Sequence, residues 1–420
     1  MEYIADLHLH SHYARATSRD LDLETLHKWA RIKGIDVVGT GDFTHPAWYA
    51  TLKERLVEAG NGFFRLRKEP SDISWAAGRK VYFCLSVEVC CIYHYGGKLR
   101  KSHHIIFVPD LGSAALLNKR LAPYGNLAAD GRPILKLSAR DLLEIVLTVS
   151  EYAYLIPAHI WTPWFSILGS RSGYDSVQAC FRDLTPYIFA LETGLSSDPA
   201  MNWQWSRLDR YTMVSNSDAH SPRNIGREAN LLSTRLSYKA MFEAFKTRKG
   251  FLGTLEFFPE QGKYHLDGHR KCNVCLRPAE TLDIGVRCPA CERPLTVGVL
   301  HRVHLLADRE KALQPKSAPD FTHIIPLPEI ISQVVGRGVK TKTVDNLYVQ
   351  AIKTFGNEFD ILRKVPLSSI EKKLGILYAK AIEGVRKGNV KRDAGYDGVY
   401  GKISVVGISE PKQAKMSSFL

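Results

Sequence analysis

The sequence predicts an α/β protein: a barrel or parallel sheet of β/α units, then a small cysteine-bearing module, then a helical region. Three observations carry this. Strand-like and helix-like segments alternate from residue 1 to about residue 260, the order that gives parallel strands with crossover helices. Side chains of metal-ligating type recur at the carboxyl ends of those strands, where β/α barrels build their sites. "CNVC" at 272–275 and "CPAC" at 288–291 then repeat one cysteine spacing.

The first strand, "YIADLHL" (3–9), runs into "DLHLHSH" (6–12). Alternate side chains of a strand share a face, so His8 and His10 project together, roughly 6.5–7 Å apart. Two imidazoles so placed suit a metal. "SRDLDLETLHKWARIKG" (18–34) follows as a helix, with Asp20 or Asp22 as N-cap and Gly34 as its stop; Leu23, Leu26, Ala30 and Ile32 share its apolar side. "IDVVGTGDFTHP" is a buried strand leading to Asp42 and His45. Later strands are "KVYFCLSVEV" with Glu88, "HHIIFVP" with His103 and His104, "YAYLIPAHI" with His159, "YIFALETG" with Glu192, and "YTMVSNSDAH" with Asp218 and His220. "ARDLLEIVLTVS" and "SYKAMFEAFKTRKG" are helices between them. Gathering so many desolvated polar side chains without a metal is costly.

At 420 residues the chain has room for two or three domains, and its 45% hydrophobic and 24% charged content is that of a globular protein. No apolar run is long enough to span a membrane, and the N-terminus has no signal-peptide pattern. The expectation is a cytoplasmic, nucleoid-associated monomer with no membrane partner. Lys and Arg number 57 against 43 acidic residues, a formal charge of +14 that favours a polyanion such as nucleic acid. Eight cysteines in that setting read as metal ligands or buried thiols, and Cys84, Cys90, Cys91 and Cys180 lie in apolar surroundings that suit packing.

The series "DLHLH", "GTGDFTH", "VEV", "PAHI", "ALETG" and "NSDAH" resembles that of the PHP (polymerase and histidinol phosphatase) superfamily over roughly residues 1–255. The resemblance implies a distorted seven-stranded β/α barrel that carries two or three divalent metals and cleaves phosphoesters. It implies His8, His10, Glu88, His104, His159, Asp218 and His220 as ligands, with His8, His10, Glu88 and Asp218 at the catalytic heart. Asp42 stands in where the family often has Asp-His, and the participation of His12, Arg15, His45 and His103 stays open. The mixed donor set suits Zn²⁺ or Mn²⁺ more than Mg²⁺. Close metals lower the pKa of a water and brace phosphoryl oxygens. Arg223 and Arg227, just after "SDAH", are candidates to hold phosphate, with surface solvation an equal alternative.

The C-x2-C-x12-C-x2-C spacing resembles a zinc ribbon, with Cys272, Cys275, Cys288 and Cys291 closing one structural Zn²⁺ site. His265, His269, His301 and His304 are read as satisfied polar residues, not ligands. Residues 320–385 are mostly helical. "GRGVKTKTVDNLY" sets Lys340 and Lys342 before a helix, where backbone N–H groups can meet phosphate; an ordinary loop is the alternative. In "DAGYDGVYGKI" (393–403), Tyr396 and Tyr400 can stack on an exposed base; a tight hairpin is the bland alternative.

This ordered combination resembles endonuclease Q, of archaeal type, over essentially the whole chain. That resemblance implies a barrel over 1–260, a zinc module over 261–320, a basic helical domain over 321–405 and a flexible tail over 406–420. It also implies nicking of DNA, double- or single-stranded, on the 5′ side of deaminated bases (uracil, hypoxanthine, xanthine) and abasic sites, leaving 3′-hydroxyl and 5′-phosphate ends. The damaged base would be flipped into a pocket, for which Trp161, Trp164, Phe165 and the Tyr396–Tyr400 hairpin are candidates. A small-molecule phosphomonoesterase and a catalytically inactive repair scaffold are the alternatives. The tail ends in "QAKMSSFL", whose Gln413, Met416, Phe419 and Leu420 resemble the motif that binds the PCNA sliding clamp. One helical turn brings Met416 and Phe419 to one side.

Overall fold

The strand Glu2–Asp6 lies between Val37–Gly39, to which it is parallel, and Ala229–Ser233, to which it is antiparallel. These are central members of an eight-stranded sheet that runs from Phe321–His323 at one edge through Phe251–Glu256 to Tyr82–Cys84, Phe64–Leu66 and Leu56–Glu58 at the other. A four-stranded sheet pairs Ile134–Leu135, Ser86–Tyr95, Lys98–Phe107 and Tyr154–Pro157, and Ala190–Glu192 pairs in parallel with Thr212–Val214. The computed structural model describes residues 1–70, 76 and 79–407. The tail residues Gln413, Met416, Phe419 and Leu420 lie outside the described residues.

Parallel pairing, expected throughout, holds along Glu2–Asp6, Val37–Gly39 and Tyr82–Cys84 and between Ala190–Glu192 and Thr212–Val214. It fails at Ser86–Tyr95 and Lys98–Phe107, an antiparallel hairpin. Its turn is Gly96–Gly97, both at positive φ (59° and 71°), the signature of a two-residue hairpin loop. Among the described residues the ladders form separate sheets instead of one continuous seven-stranded barrel. An isolated parallel bridge joins Leu9 to Ala219. The strands are short, and the irregular segments after them carry the functional side chains.

The helix Leu23–Lys33 starts where Asp22 accepts from Thr25 N at 2.7 Å and ends at Gly34, burying Leu23, Leu26, Ala30 and Ile32. The C-terminal region is helical, as expected, from Leu327–Val335 to Ile376–Arg386, and closes with the hairpin Val390–Asp393 and Lys402–Val405. Its apolar core of Ile330, Val344, Ile352, Ile361, Ile370 and Ile382 continues into Ile32 and Phe258 of the preceding region. Lys33 also pairs with Glu358 at 2.8 Å, both 2% exposed, so the two regions are tied by a buried ion pair as well as by packing. Among the described residues no helix is long and apolar enough to cross a membrane. The four cysteines assigned to packing, Cys84, Cys90, Cys91 and Cys180, are all buried, and burial raises each thiol pKa.

Candidate metal centre

Two groups of potential ligands meet at Glu88. His8, His10, Glu88 and Asp218 form one, and Glu88, His103 and His159 the other; within each, the donor atoms lie within 4.8 Å of one another. Glu88 Oε1 is 2.8 Å from His103 Nδ1 and 3.0 Å from His159 Nε2, while Oε2 is 3.3 Å from His10 Nε2. One carboxylate thus spans both groups, as a ligand bridging two metals does. His8 Nε2, His10 Nε2 and Asp218 Oδ1 are buried without a hydrogen-bond partner. Such orphaned donors cost free energy unless something binds them, so these residues fit a divalent metal.

The backbone supports this. Asp42, His159 and Asp218 all have positive φ (50°, 28° and 46°). Side chains rarely adopt that region, and strain of this kind collects at functional sites. Glu192 accepts from His8 Nδ1, Asn216 Nδ2 and the His159 backbone N–H. Burial disfavours the imidazolium of His8, but the Glu192 and Glu88 carboxylates outweigh it and raise its pKa well above the ordinary value. Burial likewise opposes ionisation of Glu88, yet His103, His8 and Arg132 hold its pKa well below the carboxylate range.

Three expectations change here. Asp42 is not among the converging donors: Oδ1 accepts from His10 Nδ1 at 3.0 Å, and Oδ2 accepts from the Ser11 backbone N–H and hydroxyl at 2.6 and 2.7 Å. It orients His10 instead of facing the centre. His104 is replaced by His103. In the hairpin register His103 pairs with Cys90 and His104 with Val89, so the strand alternation puts only His103 on the Glu88 side. His104 turns into the core against Phe181 and Ser102, and burial pushes its pKa down to about 3. His220 packs its ring 4.7 Å from that of His10 but bonds through Nδ1 to the Asp218 carbonyl. His12 and His45 bond to the carbonyls of Leu21 and Ala128.

Arg132 was not singled out from the sequence. Its guanidinium meets Glu88 Oε2 at 3.1 Å, beside the centre. The preceding Gly131 permits this approach: a Cβ there would fall 2.4 Å from Asp42 Oδ2. No motif marks this loop, so only the tertiary contact reveals it.

The cysteine module also departs from expectation. The donors that converge are His269, Cys272, Cys288 and Cys291, while Cys275 is exposed and outside the group. The hairpin Asp267–His269 with Val274–Leu276 pairs His269 with Val274 and Gly268 with Cys275. His269 and Cys275 therefore face opposite sides, and His269 lies 3.4 Å from Cys291 Sγ. Cys₃His is an ordinary structural zinc set, so the fit survives with one ligand exchanged. His301 is satisfied by Asp267 at 2.6 Å, as expected of a non-ligand.

A cavity of about 740 Å³ opens beside the centre, lined among others by Trp164, Phe165, Arg227, Tyr264, His265 and Tyr400. Phe165 packs at a tilt against the ligand candidate His103, with centroids 4.9 Å apart. Of the aromatic candidates, Trp164 and Tyr400 are exposed at the cavity. Trp161 is fully buried and donates to Asn202 Oδ1, which makes it core. Tyr396 is not among the cavity's lining residues, and its hydroxyl donates to Asn273 Oδ1 at 2.8 Å. Arg227 donates to the carbonyls of Ser217 and Asp218, and Arg223 pairs with Asp345 at 2.6 Å. Lys340 and Lys342 are exposed.

The fold and this histidine–carboxylate centre are those of a mixed α/β protein with candidate metal-binding groups beside an aromatic cavity. The structural likeness is to endonuclease Q. The chain is similar in structure to the lesion-specific endonuclease PfuEndoQ of Pyrococcus furiosus, with a TM-score of 0.84 and 29% identity over 96% of either chain. It is equally similar (TM-score 0.84, 29% identity, 99% of this chain and 100% of that one) to endonuclease Q in complex with a 27-mer duplex carrying an abasic lesion at the active site. Residues 326–389 match the family described as the MJ0043 C-terminal domain. The uncharacterized protein MJ0043 of Methanocaldococcus jannaschii is 33% identical over 252 residues, 58% of this chain but 31% of that protein's length. The uncharacterized protein YqxK of Bacillus subtilis is 29% identical over 72% of this chain and 73% of its own.

Proposed function

We propose that the protein is a metal-dependent DNA repair endonuclease that nicks on the 5′ side of a damaged nucleotide. Its lesions are the deaminated bases uracil, hypoxanthine and xanthine and abasic sites, and its products carry 3′-hydroxyl and 5′-phosphate ends. The carrying observation is the likeness, along 99% of the chain, to a protein whose active site holds an abasic duplex, combined with convergent ligand types beside a nucleotide-sized cavity.

His8, His10, Glu88 and Asp218 would hold one metal, and Glu88, His103 and His159 a second. Bound metals would supply Lewis acidity toward the phosphate and a lowered pKa for the attacking water. The chain's own residues do the rest. Glu192 and Asp42 fix the rings of His8 and His10, so that Nε2 of each faces the phosphate site. Arg132, beside Glu88, offers a guanidinium for a nonbridging phosphate oxygen. The aromatic cavity receives the extruded nucleotide, at an unstacking cost of a few kcal/mol that is smallest for a mispaired or missing base. Asp218→Ala removes a ligand without touching that cavity. It should abolish nicking and leave lesion binding largely intact; an active variant would refute the assignment.

The same reading includes the clamp. Met416, Phe419 and Leu420 would supply short apolar anchors for a PCNA pocket, with Gln413 hydrogen-bonding beside it, and the clamp should stimulate nicking at elevated salt, where DNA affinity alone is weak. Binding of the cognate clamp to the full chain and to a form ending at Lys412 tests this. Equal affinity rules the tail out.

A further inference from the structure

A second cleft, of about 470 Å³, opens between the helices Leu23–Lys33 and Lys342–Phe355. Its floor is apolar and aromatic, with Trp29, Ile32 and Tyr348; the Trp29 and Tyr348 rings are nearly parallel, 21° apart. Its lining is cationic, with Lys28, Lys33, Arg223, Arg227 and Lys340 against Glu329 and Asp345. Arg223 lies 5.7 Å over the Trp29 ring and is held there by Asp345. Aromatic faces combined with fixed cations recognise a nucleobase and its phosphate, and the volume is that of a small-ligand site.

The position of the cleft is specific. It shares Arg227 and Phe257 with the first cavity, so the two lie on either side of one ridge. Arg227 is bonded to the carbonyls of Ser217 and Asp218, which sets the ridge beside the metal centre. A strand laid across the centre would have to step over that ridge, and a scissile phosphate joins two nucleosides.

We propose that this cleft binds the nucleoside on the 5′ side of the cut phosphate, while the first cavity takes the lesion on the 3′ side. The inference rests on the nuclease reading and extends it. The enzyme would then unstack two adjacent residues, with its grip on the undamaged neighbour supplied by Trp29, Tyr348, Arg223 and Lys340.

The test uses full-length protein and an abasic-site duplex with 2-aminopurine immediately 5′ of the lesion, or several positions further 5′ as a control. Nicking of this duplex is measured first, in metal; its absence is a failure of the nuclease reading and not of the cleft. With Asp218→Ala protein, which retains the duplex, emission from the adjacent probe should change several-fold while the control probe does not respond. Adding Trp29→Leu should abolish that change with duplex binding retained. Lys340→Glu, at the exposed rim and away from the core, should diminish it and raise the KM for nicking several-fold with kcat little altered. An unchanged adjacent probe on a duplex that is nicked, or the same signal in Trp29→Leu and Lys340→Glu, overturns the assignment.

Discussion

Glu192 accepts from Nδ1 of His8 through both carboxylate oxygens, each at 3.0 Å. A buried carboxylate only accepts, so a proton is held on Nδ1, and Nε2 is the atom turned toward Glu88 and Asp218, where a metal would take the place of its proton. Asp42 does the same for His10. Partners behind metal-ligating histidines are worth 10–100-fold in metal affinity or activity. Glu192→Ala should therefore lower metal content and nicking by about 10–100-fold. Glu192→Gln, which keeps one acceptor, should lose less. Full metal loading and full activity in Glu192→Ala would refute the role.

His103 and His104 should separate cleanly. His103→Ala should cost metal and activity as His159→Ala does, because both rings reach Glu88 Oε1. His104→Gln should lower the melting temperature with metal content retained, since its ring is core packing against Phe181. The reverse pattern in metal analysis would restore His104 as the ligand.

The cysteine module makes a similar discrimination. His269→Ala and Cys272→Ser should each release one tightly held zinc and lower the melting temperature, whereas Cys275→Ser should retain both. Zinc loss from Cys275→Ser equal to that from Cys272→Ser would return the site to four cysteines.

Glu228 and Glu256 are buried together, and Glu228 Oε2 has no hydrogen-bond partner. Burial first, and the neighbouring Glu256 second, raise the Glu228 pKa well above the ordinary value. The folded protein then keeps a proton that the unfolded chain releases. The stability linked to this group is present below the ordinary carboxylate range and is lost as pH rises through the folded pKa. Glu228→Gln should raise the melting temperature by a few degrees at pH 8, with the gain shrinking toward pH 4. Equal gains at both pH values would point to packing instead of ionisation.

What was legible in the sequence was what local periodicity and capping determine. Asp22 and Gly34 bound their helix because caps act within a turn. His8 and His10 come together because alternation is local, here in the extended stretch just past the strand Glu2–Asp6, and Glu88, His159 and Asp218 gather with them. The side chains that converge otherwise than expected depend on pairing instead. His103 and not His104 faces Glu88 through the register of a ten-residue hairpin, and His269 and not Cys275 joins the cysteines through another. Asp42 sits one layer behind His10, a depth that residue type does not encode. Arg132 reaches Glu88 from a loop without periodicity, so no sequence pattern pointed to it.

The central claim is lesion-directed hydrolysis at the centre that gathers around Glu88. The most direct measurement is nicking by purified full-length protein of a duplex carrying one uracil or abasic site. The matched undamaged duplex and a chromogenic phosphomonoester serve as controls, each with added Mn²⁺ or Zn²⁺ and with chelator. The account predicts a single nick 5′ to the lesion, with 3′-hydroxyl and 5′-phosphate ends, abolished by chelator and by Asp218→Ala, and the undamaged duplex spared. Equal cutting of both duplexes, free uracil as product, or turnover of the phosphomonoester alone would contradict it.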